Sequence, residues 1–289
     1  MSASTLRSET RSTQLVRVTG AEFNVAAGSA RQSFWDRYSA GCWEPQTLRV
    51  IRHFLIPGTD CIDVGAWIGP TVLYEACSAR LVHAFEPDPV SYDELVTNVA
   101  ANPHLRERVM LHRQCVAPEP GPVNLYAGGM YYAEGSTFGD SMSGIYPAGD
   151  GNDQPSQLAE GVRLDDFMEL KGVTACSFIK MDLEGGEYGL IPGRWRLLAA
   201  YGMPTLCLSF HSPAVARREE LIGACLEELR FCYSHLYSAT DQALVDVDRL
   251  LGSVRDWGDD SPESDWCVLD QRLGAGVVAT NRVWCGPAP

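Results

Sequence analysis

The sequence predicts an α/β fold: a mostly parallel sheet covered by helices on both faces, with an N-terminal helical segment ahead of it. Three observations carry this. Short apolar runs alternate with stretches whose apolar residues recur at helical spacing. The run Cys61–Val64 passes through Gly65 and Gly69 into the apolar stretch Thr71–Ala79, which reads as strand, tight turn and helix. The polar residues that stand out fall at the carboxyl ends of the predicted strands, where such sheets bind ligands.

Taken in order, residues 1–13 are Ser/Thr-rich and read as a flexible tail. Residues 14–57 form an N-terminal segment. It contains a hairpin from Leu15 to Val25 around Thr19-Gly20, a helix from Gln32 to Gly41 carrying Phe34, Trp35 and Tyr38, and a second helix from Gln46 to Phe54. Pro57-Gly58 ends that helix. The main domain then runs from residue 58 to 289. Its second strand is Arg80–Phe85, followed by an amphipathic helix over Ser91–Ala101 and a strand beginning at Val109.

Ala117–Gly161 is rich in Gly, Pro, Ser and Asp and includes Met130-Tyr131-Tyr132. A loop of that length inside a domain is usually functional, so it reads as a substrate-facing insertion, with a short strand at Val123–Tyr126. Val162–Leu164, Ala175–Met181, Thr205–Phe210 and Phe231–Tyr237 read as further strands. Ser212 and Pro213 open a helix reaching about Leu229. Trp266–Leu269 and Val277–Thr280 are expected as edge strands, after an acidic loop at Asp256–Asp265.

Composition narrows the partners. With 289 residues, 45% of them hydrophobic, the chain can bury a full core, and its net charge of −14 excludes the clustered basic surface that nucleic acid requires. The same charge argues against anionic membrane surfaces, and there is no long apolar run. Ten cysteines are scattered singly without a C-x-x-C pair, so they read as reduced thiols of a cytoplasmic protein. Oligomeric state is open, a homodimer being one arrangement.

The glycine turn is D-x-G-x-x-x-G, with Asp63 two residues before Gly65. That acid disfavours a phosphate and favours a cationic or amine-bearing ligand. Glu86 stands at the end of the next strand, where a carboxylate accepts both ribose hydroxyls. S-adenosylmethionine, a nucleoside with a sulfonium and an amino acid tail, satisfies both. Asp182, Glu184 and Glu187 crowd another strand end. One of them is placed to orient or deprotonate a nucleophile, and two to hold a divalent metal through oxygen. Glu187 alternatively just favours a helix N-terminus. No second acidic ligand set is visible, so no metal ligand is assigned. His211 ends the strand after that and has the ordinary pKa of a general base. Lys180 is one of two lysines; it is expected to pair with a carboxylate, without an assigned role.

These blocks together, C-I-D-V-G-A-W-I-G from Cys61, H-A-F-E-P-D-P from His83 and F-I-K-M-D-L-E-G-G-E from Phe178, resemble the FkbM family of class I S-adenosylmethionine-dependent methyltransferases. Asn98 and Asn102 match the family's helix ending, and the resemblance runs from about Trp43 to His211. It implies a Rossmann-like seven-stranded sheet with a reversed edge strand and O-methylation of a small-molecule hydroxyl on a sugar, polyketide or other natural product. Some members methylate carboxylates instead, and a scaffold that binds the cofactor without turnover is the non-enzyme alternative. Glu44, in the family's Trp-Glu-Pro block, is implied to contact the methionyl end. Two departures stand out: Trp67 replaces the usual Gly or Asn, and Ser209-Phe210-His211 replaces Glu-x-His. The expected cofactor site is therefore Glu44, Asp63, Gly65, Trp67, Gly69, Thr71, Glu86 and Asp182, and the expected catalytic residues are His211, Asp182 and Glu184.

Overall fold

The computed structural model describes residues 12–28, 30–128, 137–147, 154–209, 211, 218–255 and 276–284. An N-terminal hairpin of β1 (Thr13–Val18) and β2 (Ala21–Ala26) turns at Thr19-Gly20, both at positive φ. Helices α1 (Gln32–Ser39) and α2 (Pro45–Phe54) follow. The main sheet opens with β3 (Asp60–Val64), α3 (Pro70–Ala76), β4 (Leu81–Phe85), α4 (Pro89–Ala100), the short α5 (Pro103–Arg106) and β5 (Val109–His112). A small second sheet combines β6 (Cys115–Val116), β7 (Gly121–Tyr126) and β8 (Ser156–Val162). The chain returns through α6 (Leu164–Lys171), β9 (Cys176–Met181), α7 (Glu187–Leu190), a 3-10 helix (Trp195–Tyr201), β10 (Thr205–Leu208), α8 (Arg218–Cys232), β11 (His235–Ser238), α9 (Val247–Arg255) and β12 (Val277–Thr280).

The main sheet has seven strands in the order β11-β12-β10-β9-β3-β4-β5. Every pairing from β10 to β5 is parallel; only β12 runs against its neighbours. Apolar side chains fill both faces. One layer holds α6, α8 and α9 residues such as Met168, Leu226 and Leu250, and the other holds α2, α3 and α4 residues such as Leu48, Leu73 and Leu95. The hairpin joins the second layer. Asn102 accepts from Asn24 N (2.6 Å) and donates to Asn24 O (2.7 Å), while Asn98 accepts from Ala26 N (2.9 Å) and donates to Ile68 O (2.9 Å). Asn98 in α4 and Asn102 just before α5 therefore fasten the hairpin and the glycine turn together.

The structure departs from the sequence expectations in four places. Ala117–Gly161 is not one loop, because β8 pairs with β7 along its whole length and extends back to Ser156. Its alternating exposed and half-buried side chains look polar in sequence. The expected strand at Phe231 starts only at His235, since Phe231 and Cys232 complete α8. The reversed strand β12 lies inside the sheet between β10 and β11, not at its edge. All four of its residues are buried, as its unbroken Val-Val-Ala run requires for a strand covered on both faces. Val162–Leu164 is the end of β8 and the start of α6, not a strand. The Met130–Tyr132 run, Phe210, the Ser212-Pro213 helix start, the Asp256–Asp265 loop, the Trp266–Leu269 strand and tail residues 1–11 lie outside the described residues.

Candidate functional site

Strand order reverses between β3 and β9, so their carboxyl ends flank the crevice where ligands bind on such sheets. The backbone there is tightly specified. Gly65 sits at φ 83°, and a Cβ on it would stand 1.9 Å from the carbonyl oxygen of Asp182, so no side chain fits at the seam. Gly69, at φ 92°, turns the chain into α3, with Pro70 in the first helical turn. Trp67 lies at φ 46°, a left-handed conformation that Gly or Asn adopts more easily. Its backbone N–H donates to Glu86 Oε2 at 2.7 Å.

Above this seam is a cavity of about 640 Å³, within the usual range for small-molecule sites. Glu44, Gly65, Trp67, Thr71, Glu86, Asp182, Glu184 and His211 all line it. Two expected site residues stand elsewhere. Asp63 is fully buried behind the wall, accepting from the Thr71 hydroxyl and lying 3.5 Å from Lys180 Nζ. Gly69 serves the helix start, where a Cβ would clash with Leu95. The expected contact between Asp63 and a cofactor amine is thus replaced by a buried pairing with Lys180, the residue opposite it in the β3–β9 register.

Glu86 uses both oxygens on backbone N–H groups, Oε2 on Trp67 and Oε1 on Asp88 (2.8 Å). Burial nevertheless pushes its pKa up to about 8. Glu44 holds a left-handed conformation (φ 39°) ahead of α2, takes a 3.0 Å hydrogen bond from the Thr47 hydroxyl, and is pushed up to about 7 by burial and by Asp182. The Trp67 ring forms part of the wall. Phe34 meets it edge-on at 4.7 Å, the Arg31 guanidinium lies 5.2 Å over it, and its indole N–H donates to Gly139 O at 3.4 Å.

The other strand end gathers the acids. Burial works against the charge on Lys180, yet Asp63 and Asp182 hold its pKa above the ordinary lysine value. Lys180 donates to Gly65 O at 3.0 Å and lies 3.6 Å from Asp182 Oδ2. Burial alone would raise the pKa of Asp182, but Lys180 and His211 outweigh it and hold that pKa below the usual carboxylate value. His211 Nε2 lies 3.3 Å from Asp182 Oδ1 and 3.4 Å from Glu184 Oε1. Its Nδ1 lies 3.4 Å from Glu187 Oε1. Glu187 is fully buried and is fixed by the backbone N–H groups of His211 (2.9 Å) and Gly185 (3.0 Å). Burial would lower the His211 pKa, but its contacts with Glu184 and Glu187 outweigh that and raise it well above the ordinary histidine value. The imidazole is therefore a stronger base than its unperturbed value implies.

The family model for the methyltransferase FkbM domain matches residues 63–234, over half of the chain. The chain belongs to the FkbM methyltransferase family. The chain is also similar to the crystal structure of methyltransferase FkbM from Methylobacillus flagellatus KT, with 16% identity over 59% of this chain and a TM-score of 0.37. It spans only 38% of that chain's length. A precorrin 8w decarboxylase from Methanobacterium thermoautotrophicum gives 14% identity, a TM-score of 0.34, and coverage of 65% of this chain and 71% of the other. No curated protein matches the sequence. Among the described residues no helix is long and apolar enough to cross a membrane.

Several wall residues of this chain escaped the sequence reading. Arg31, Phe34 and Arg37 reach the cavity from the N-terminal segment, and Asp140, Ser143 and Ile145 from the insertion. The helical spacing of Phe34, Trp35 and Tyr38 was visible, but a helix face turned to a cavity has the same pattern as one turned to a core.

Proposed function

We propose that this methyltransferase moves a methyl group from S-adenosylmethionine to a hydroxyl oxygen of a small molecule. The observation that carries this is a single cavity joining the glycine turn and Glu86 to the Asp182, Glu184 and His211 cluster. The residues fit such a cofactor. Asp182 and Glu184 bring carboxylates to the wall beside Glu44, while Arg31 and Arg37 line it as well and the Lys180 charge faces Asp63 and Asp182. The carboxylates at the β9 end suit the cationic end of such a cofactor. When bound, S-adenosylmethionine supplies an electrophilic methyl carbon that an oxygen nucleophile attacks in line.

The chain's own residues then divide the work. Glu86 accepts the ribose hydroxyls, and Trp67 and Gly65 shape the turn beneath the nucleoside. Glu44 and Asp182 favour the cationic end. The acceptor's proton leaves toward the acidic cluster, where His211 accepts it in its deprotonated form; because Glu184 and Glu187 raise its pKa, that form grows and turnover rises toward alkaline pH. Glu187 faces the other ring nitrogen and stabilises the imidazolium that results. An ionised carboxylate acceptor would meet Asp182 and Glu184 as like charges, which favours a neutral hydroxyl over an ester-forming reaction.

Isothermal titration with S-adenosylhomocysteine tests the cofactor site: the folded protein gives one binding event, and absence of heat at millimolar ligand would sink the reading. On a hydroxylated acceptor, His211→Ala should lower kcat by about 10²–10⁴-fold. An unchanged kcat removes His211 from the mechanism.

A further inference from the structure

Asp182, Glu184 and His211 converge on one point of the cavity wall. Each offers one ligand atom, and the three atoms lie within 4.8 Å of one another. The two measured edges, His211 Nε2 to Asp182 Oδ1 and to Glu184 Oε1, are 3.3 and 3.4 Å. Ligand atoms bound at about 2.1 Å to one ion stand about 3.0 Å apart at right angles and about 3.4 Å apart at the tetrahedral angle. The edges therefore fall in the span of a coordination polyhedron.

From this geometry we infer that Asp182, Glu184 and His211 form a divalent-cation site opening into the cavity. Two further features support it. His211 presents its other nitrogen to Glu187, a fully buried carboxylate held by two backbone N–H groups. Metal-binding histidines regularly have such a carboxylate behind them, which fixes the ring so that the free nitrogen aims at the ion. The oxygens of Asp182 are also divided. Oδ2 faces Lys180, and Oδ1 faces His211, where an ion would sit. Two carboxylates and a neutral imidazole carry the charge that offsets a divalent ion. Three protein ligands on a cavity wall leave coordination positions open toward the space above. One imidazole among oxygen donors favours a first-row ion such as Mn²⁺ or Co²⁺ over Mg²⁺.

The competing reading is that these contacts are only ion pairs of a protonated His211. Metal binding to the full chain separates the two. After chelator treatment and desalting, Mn²⁺ is titrated in by calorimetry, with the loss of the free-ion electron paramagnetic resonance signal as second readout. One equivalent should bind. Glu184→Gln should weaken it by at least tenfold, and Glu187→Gln by about tenfold through loss of the carboxylate behind His211. Melting curves confirm that the variants are folded. Glu184 is the primary test, because Asp182→Asn also strips a partner from Lys180. No binding at millimolar Mn²⁺ or Co²⁺ overturns the site, as does binding that Glu184→Gln leaves unchanged.

An ion on His211 Nε2 would occupy the lone pair that the base role uses, so ion and base are alternatives for that nitrogen; the existence of the ion site does not depend on cofactor binding, and the same samples keep the two apart. S-adenosylhomocysteine binding to metal-free protein that takes up no Mn²⁺ overturns this inference alone. Mn²⁺ binding without S-adenosylhomocysteine binding supports the ion site and overturns the cofactor reading instead.

Discussion

Glu86 shows how one residue couples burial to ligand binding. Its carboxyl is buried at the end of β4, and burial lifts its pKa from an ordinary value near 4.5 to about 8. The ligand-free site therefore keeps the proton at neutral pH. Ribose hydroxyls donate hydrogen bonds, so they favour the ionised form. Binding then releases a proton, and each pH unit below the site's pKa weakens binding by up to tenfold. Affinity for S-adenosylhomocysteine should accordingly rise between pH 6 and 8, both values bracketed by the shift from about 4.5 to about 8, and level off above. In Glu86→Gln the affinity should be lower and its rise with pH shallower, keeping only the part that Glu44, at about 7, contributes. Calorimetry across that range checks it, and a pH-independent wild type would remove Glu86 from ribose recognition. The placement of Glu86 was legible because it depends only on the end of one strand and its distance from Asp63. The placement of Asp63 was not. Its partner Lys180 lies far along the chain, and only the β3–β9 register brings them together.

At the scale of elements, one carboxylate ties the near end of the 137–147 segment to the start of α4, while Gly144 is bridged to Tyr126 of β7. Asp88 Oδ1 caps α4 through the N–H groups of Val90 (2.9 Å) and Ser91 (3.2 Å). Its Oδ2 accepts from Gly139 N (2.7 Å) and from the Ser143 hydroxyl (2.9 Å). Arg31 and Trp67 both donate to Gly139 O, so the segment, the N-terminal region and the glycine turn meet at one point. Asn caps helices about as well as Asp, but it exchanges one acceptor oxygen for a donor. Asp88→Asn should thus keep α4 while freeing the near end of 137–147, and Asp88→Ala should also lose about 1 kcal/mol of capping. Hydrogen exchange reads the difference. Unchanged protection of 137–147 in Asp88→Asn would show that Asp88 does not hold the segment. The F-E-P-D-P block marked Asp88 in sequence, yet its second role depends on an insertion whose Gly, Ser and Asp residues have no periodicity to read. The helices and core strands were legible because each is a local apolar pattern. Phe231 misled because an aromatic next to Cys and Tyr looks like a strand, although it stands exposed at the end of α8.

For the whole molecule, the seam between β3 and β9 carries both the fold and the site. The strand order reverses there, Gly65 leaves no room for a side chain, and Lys180 joins both strands. Its ammonium faces Asp63 on one side and Asp182 on the other, with the Gly65 carbonyl as hydrogen-bond acceptor. Lys180 is buried, so the attraction is little screened, and removing it strands two carboxylates. Lys180→Met preserves most of the volume and should cost about 3–5 kcal/mol in urea unfolding, the range for breaking a buried pair from one side. Removing the stranded charge as well should restore part of that loss. Lys180→Met combined with Asp63→Asn should therefore be more stable than Lys180→Met alone by about 1–3 kcal/mol, despite carrying one more substitution. Additive losses in the double variant would mean that Lys180 acts through packing alone. The recovery would show instead that one buried ion pair, formed across the switch point of the sheet, positions the glycine turn against the carboxylates that face the cavity.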